Sequence, residues 1–231
     1  MTFGLIVRND SSYVQIDSER PRLCAISNGA YSSVGGDFVA YVTFPKPITT
    51  AEPPFIFIRN DPSRGEELYI EMRLSGISGN WTGFSIVAGN VRWRPLGKWF
   101  AAVFASVENT DYGLRLWSET GSVVYDSGAT PVIVTKANNT WTYQGSVQHV
   151  DFGASYYFMN GANEPLAPDE YFMINPFSRG ILRPQSHNWT RAGIRFNYAT
   201  NRLQMYLTGS GAGPWTNQGQ PAAVFARLPG T

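Results

Sequence analysis

Few residues in this chain could do chemistry, and their types narrow that chemistry quickly. Among 231 residues there is one cysteine, Cys24, and there are two histidines, His149 and His187. Two histidines are too few for a histidine-based metal site, and one cysteine excludes both a Cys-x-x-Cys pair and a disulfide within the chain. Cys24 stands in the apolar run Arg22-Leu23-Cys24-Ala25-Ile26, where it reads as a core thiol. A Cys–His nucleophile pair is the sharper alternative. Adjacent carboxylates occur at Glu66-Glu67 and Asp169-Glu170. Neighbouring side chains on a strand point to opposite faces, so neither pair is a natural acid–base couple for glycoside hydrolysis. Both read as solvated loop or strand-end charges, and a couple assembled from distant parts of the chain stays open. No Gly-x-Ser-x-Gly elbow, His-Glu-x-x-His helix or phosphate-binding loop occurs. Asn60-Asp61-Pro62-Ser63 lacks the spacing and the distal Glu of a calcium loop. The expectation is a protein without enzyme activity, metal or cofactor.

Recognition chemistry is better represented. Seven tryptophans accompany twelve tyrosines. Large aromatics fill β-sandwich cores, but exposed ones stack on sugar rings or anchor protein interfaces. The two best surface candidates sit among charges or turn residues: Trp93 in Val91-Arg92-Trp93-Arg94-Pro95, and Trp215 in Gly213-Pro214-Trp215-Thr216-Asn217. Both are assigned here as candidate partner or glycan contacts. Three of the 18 basic residues are lysines and the rest arginines. Arginine is enriched at interfaces, where lysine is depleted; codon bias in a GC-rich genome accounts for the ratio equally well.

The elements that must position these residues are strands. Gly and Pro are spread along the whole chain, and no apolar stripe with helical spacing is found. Alternation is common instead, as in Asp37–Phe44, Glu67–Arg73 and Ala192–Tyr198. Short alternating strands separated by turn residues indicate an all-β sandwich or barrel. With 43% apolar and only 15% charged residues, the chain is not of the disordered class. A net charge of +1 gives no field for nucleic acid or an anionic membrane. The apolar run near the N-terminus, Phe3–Val7, is short for a secretory signal, and the longest anywhere, Trp99–Ala105, is far short of a membrane span. Synthesis in a cytoplasm and no membrane insertion are expected.

Several short matches recur in the same order. Gly4-Leu5 leads to Asp17-Ser18 as Gly113-Leu114 leads to Asp126-Ser127. Phe55-Ile56-Phe57-Ile58 precedes Ser63-Arg64-Gly65 as Tyr171-Phe172-Met173-Ile174 precedes Ser178-Arg179-Gly180, and Ala101–Ala105 recurs as Ala222–Ala226. Trp81-Thr82 and Trp189-Thr190 form a further pair. The chain therefore reads as two tandem, internally duplicated, jelly-roll-like β-sandwich domains, 1–110 and 111–231. Each opens on a hairpin, and Asp17 and Asp126 end its second strand in Asx-type turns. Counted from the Trp pair, the second copy carries extra residues at 209–221. That segment is a surface loop in which Trp215 either anchors a partner or folds back as a lid.

The repeated opening, Tyr112-Gly113-Leu114-Arg115-Leu116-Trp117 followed by Gly121-Ser122-Val123-Val124-Tyr125-Asp126-Ser127, resembles a segment common in small tail proteins of tailed bacteriophages. Phe3-Gly4-Leu5 through Asp17-Ser18 is similar, with Ser12 where Gly121 stands in the second copy. The resemblance implies a virion component at the tail tip, baseplate or fibre attachment, assembled in a host cytoplasm and without enzyme activity. Its implied partners are other tail proteins and further copies of this chain, a trimer first, and a host-surface glycan or protein. A free-standing carbohydrate-binding β-sandwich is the alternative that the aromatics favour, and a glycosidase stands third.

Overall fold

The computed structural model describes residues 6–8, 14–17, 21–64, 67–89, 91–105, 113–119, 121, 123–148, 153–159, 164–177, 180–182, 189–208 and 221–231. Among them the regular elements are strands and two short 3-10 turns, at Pro62–Arg64 and Asn175–Phe177. The first half contributes β1 (Ile6–Arg8), β2 (Val14–Asp17), β3 (Leu23–Ser32), β4 (Val39–Ile48), β5 (Phe55–Asn60), β6 (Tyr69–Ile77), β7 (Asn80–Ala88) and β8 (Leu96–Phe104). The second contributes β9 (Arg115–Trp117), β10 (Val123–Asp126), β11 (Thr130–Pro131), β12 (Ile133–Asn138), β13 (Trp141–Gln148), β14 (Gly153–Met159), β15 (Glu170–Met173), β16 (Gly180–Leu182), β17 (Trp189–Asn197), β18 (Arg202–Thr208) and β19 (Ala223–Arg227).

Two large antiparallel sheets carry the fold. One is seven-stranded, with the order β11-β3-β8-β5-β15-β19-β12; the other is eight-stranded, with the order β13-β14-β18-β17-β6-β7-β4 and β16 paired to β17 off that path. From β3 to β8 the chain changes sheet at every connection except the β6–β7 hairpin, which is jelly-roll-like winding. The sheets meet over one apolar core drawn from both, including Phe44, Phe84, Trp99, Phe172, Phe196 and Phe225. Interdigitation of two inner faces is what holds a sandwich closed.

The seven-stranded sheet is apolar on both faces. In β8, Trp99, Ala101 and Val103 face the shared core, while Phe100 and Ala102 join a second buried cluster with Phe57, Tyr171 and Ala226. Phe57 and Phe100 stack there with ring centroids 4.6 Å apart. Two-sided burial removes the polar alternate positions, which explains the unbroken apolar runs at 99–103 and 223–226.

The residues on either side of the expected boundary at 110/111, which itself lies outside the described residues, share both sheets. β5 pairs β15 through Ile58–Phe172 and Phe57–Met173, and β6 pairs β17 at Tyr69–Ile194. The halves are therefore joined edge to edge and not by a tether alone. Asn175 adds a clamp, accepting the Ile56 N–H at 2.6 Å and donating to the Pro54 carbonyl at 3.0 Å. Outward from these junctions the order is β5, β8, β3 against β15, β19, β12, and β6, β7, β4 against β17, β18, β14. In that order β17 is the counterpart of β6, so Trp81 on β7 and Trp189 on β17 do not occupy matching strands. The expected Trp81–Trp189 equivalence is corrected accordingly, but the connection between β18 and β19, residues 209–222, is still longer than that between β7 and β8, residues 89–95.

Candidate functional site

A cleft of about 490 Å³ opens beside the β6–β17 junction, lined by residues from both halves. Its first wall grows from the turn after β5. The Asp61 carboxylate accepts the Ser63 N–H at 2.9 Å and the Ser63 hydroxyl, which folds Pro62–Arg64 back on itself. Arg64 is thereby set on the rim, and its carbonyl accepts the Glu67 N–H at 2.9 Å.

Glu67 is only 3% exposed. Its Oε1 accepts the Arg94 backbone N–H at 2.6 Å and so ties down the 91–95 segment. Its Oε2 is buried and has no hydrogen-bond donor among the described residues. Burial pushes the Glu67 carboxyl up to about 6, against the pull of the Arg94 N–H, the Arg64 and Arg94 charges and the nearby Tyr69 hydroxyl. The reading of Glu66-Glu67 as solvated charges is thus corrected at Glu67, while Glu66 lies outside the described residues.

Trp93 belongs to the same segment and is half-buried against the cluster of Leu68 and Tyr206. It is part of the cleft lining, so one of the two tryptophans assigned from sequence does stand at a concave surface. Trp215 lies outside the described residues. Of the other indoles, Trp99 and Trp141 are core residues whose N–H groups reach the Ala30 and Pro221 carbonyls at 3.3 and 2.9 Å. Trp81 is partly buried and donates to the Thr50 carbonyl at 3.0 Å. Trp117, which sequence reasoning passed over, is 55% exposed on β9.

The opposite wall comes from the β17–β18 hairpin. Arg195 donates from Nε to Gln204 Oε1 and from Nη2 to the Tyr206 hydroxyl, each at 2.9 Å, with its guanidinium 5.2 Å from the Tyr206 ring centroid. Asn197 caps the turn by accepting the Ala199 and Thr200 N–H groups. Tyr198 donates to the Asn60 carbonyl at 2.6 Å. Burial pushes Tyr198 up to about 12, so its phenol stays neutral. Among the described residues, three arginines, Arg64, Arg92 and Arg195, line the cleft with the Glu67 carboxylate and the Trp93 and Tyr198 rings.

The remaining chemistry-bearing residues have structural settings. Cys24 is buried on β3. Glu170 is 2% exposed, which corrects the reading of Asp169-Glu170 as solvated charges at Glu170. Its carboxylate accepts the Thr135 hydroxyl and the Ala167 N–H and lies 3.8 Å from Lys136 Nζ. Asp169 lies 3.7 Å from Arg227. Asp126 accepts the Gly128 N–H at 2.8 Å, the Asx turn expected at the end of its hairpin. His149 and His187 lie outside the described residues. Among those described, no group of three His, Cys, Asp or Glu residues could hold a metal, and no helix is long and apolar enough to cross a membrane. No family model matches the chain, and neither does any curated protein or solved structure.

Proposed function

We propose that this protein is a structural component of a bacteriophage tail, at the tail tip, baseplate or fibre attachment, and that it turns the arginine–tryptophan cleft toward the host surface. The observation that carries the reading is the recurrence of the tail-like hairpin in one geometry. Ile6 pairs Asp17 as Arg115 pairs Asp126, and the register then skips one residue, Gln15 in β2 and Val124 in β10. The matching outward order of the strands supports an internal duplication. The partners implied are other tail proteins and further copies of this chain, with a trimer first because tail tips are threefold or sixfold and homo-oligomers favour closed symmetry.

The test is mass spectrometry and antibody labelling of gradient-purified phage particles. The protein should be present in the particles, with label confined to one end of the tail. Particles that assemble and infect without it overturn the proposal.

The cleft itself favours a second reading, a free carbohydrate-binding module. Trp93 and Tyr198 supply ring faces beside polar groups, the usual composition of a small-molecule site. Glycan binding by a chain that never joins particles would select it.

A further inference from the structure

We infer that the segment 130–138 is a strap closing the seven-stranded sheet into a ring, and that the ring opens locally at one seam, between this strap and β3, while the rest stays folded. The argument begins with the strand order. β11 and β12 stand at opposite ends of that order, yet Val132 alone separates them in the chain. One continuous segment therefore pairs with β3 through its first part and with β19 through its last, so the sheet closes on itself. The cluster of Phe57, Phe100, Ala102, Tyr171 and Ala226 is the inside of that ring.

The two seams of the strap are unequal. Against β19 it is held by five residue pairs, from Ile133–Arg227 to Asn138–Ala223. Against β3 it has two, Thr130–Ala25 and Pro131–Cys24, followed by the Val132 N–H on the Leu23 carbonyl at 2.9 Å. Packing is thin at the same place. Leu23, Ala25 and Val132 are only partly buried against the inner cluster, and Ile133 and Val134, next along the strap, are 50% and 53% exposed. A cavity of about 130 Å³ lies against the seam, lined by Arg22 and Cys24 on the β3 side and by Tyr125, Asp126 and Pro131 on the other. A void forfeits the contacts its walls would otherwise make. Few rungs, half-wet side chains and a void mark a segment that opens at a lower free energy than the whole fold. The turn before the strap defines what moves. The Gly128 N–H bonds the Asp126 carboxylate at 2.8 Å and the Ala129 N–H its carbonyl at 3.0 Å. β11 is thereby tied to the β9–β10 hairpin, which belongs to neither large sheet. Hairpin and β11 leave β3 together, baring the 23–25 edge and Cys24, which is 3% exposed when the seam is closed.

The test uses the full-length chain, in which Cys24 is the single thiol, and excess dithionitrobenzoate, an aromatic disulfide larger than the cavity. Without denaturant Cys24 should be labelled completely, about tenfold or more faster than the global unfolding followed by tryptophan fluorescence, with circular dichroism unchanged. The rate should be nearly flat in low urea, because a local opening exposes little surface. Val132→Pro removes the N–H that bonds Leu23 and should speed labelling about tenfold or more. Pro131→Cys places a second thiol directly opposite Cys24. Its oxidised form should slow amide exchange at 23–25 about tenfold or more and leave exchange in β5 unchanged; this variant remains informative if Val132→Pro does not fold. Labelling that proceeds only at the global unfolding rate, with the full urea dependence of that rate, overturns the inference. Fast labelling that Val132→Pro leaves unaltered, or exchange at 23–25 that the cross-link does not slow, overturns it too, because the thiol would then be reached by another route.

Discussion

Glu67 shows how one side chain can couple stability to pH. Its carboxyl is 3% exposed and pushed up to about 6 by burial. A carboxyl whose folded value lies above its unfolded value favours the fold when protonated. That contribution is fully present below about 4.5 and is lost as pH rises through about 6. At about 1.4 kcal/mol per pH unit, the ionised form costs the fold about 2 kcal/mol at neutral pH. Glu67→Gln keeps an acceptor for the Arg94 N–H and removes the charge. It should raise Tm at pH 7.5 by roughly 4–8 °C and leave it nearly unchanged at pH 4. Melting curves at both pH values check this, and an equal shift at both would show that packing, not charge, is what the substitution alters.

At the scale of elements, the β9–β10 hairpin is closed by Asp126. Its Oδ2 pairs with Arg115 Nε and its Oδ1 accepts the Gly128 N–H, each at 2.8 Å, with the Asp126 side chain 2% exposed. Ser127 seals the neighbouring rung, its N–H on the Leu114 carbonyl and its hydroxyl accepting the Leu114 N–H. Removing one partner of a buried, hydrogen-bonded pair leaves the other unsatisfied. Asp126→Ala should destabilise the protein by about 1–3 kcal/mol and speed amide exchange across 115–126. Asp126→Asn retains the turn acceptor and should cost less. Denaturant melts of the two variants decide how the loss divides between ion pair and turn; equal losses would assign it all to the ion pair.

At the scale of the whole molecule, cooperativity follows from how the halves join. β5 and β15, and β6 and β17, are sheet neighbours, and Asn60 donates to the Phe196 carbonyl across the junction at 3.3 Å. Cutting the chain at residue 110 would expose the edges of β5 and β6 and half of one core. Such apolar edges pair with other chains. Fragments 1–110 and 111–231 expressed separately should aggregate or lack dispersed NMR spectra, and the intact chain should unfold in one transition by fluorescence and circular dichroism alike. A well-dispersed spectrum from either fragment would show that the halves are autonomous domains.

Local periodicity determined the all-β class, because period-two alternation and dense turn residues leave no helical alternative. It also located the hairpin ending at Asp126, whose Asx turn is formed by residues two apart in the chain. Trp93 was legible as a surface candidate because charges and a proline surround it. Glu67 was not, since a carboxylate beside a second glutamate reads as solvated until the 91–95 segment, tied to it through the Arg94 N–H, buries it. Arg195 lies far along the chain from Arg64, and only the β6–β17 pairing brings both to one cleft. The same holds for the halves. Alternation specifies which face of a strand is buried but not which edge it meets, and that choice rests on long-range pairing and on packing against both faces of the seven-stranded sheet.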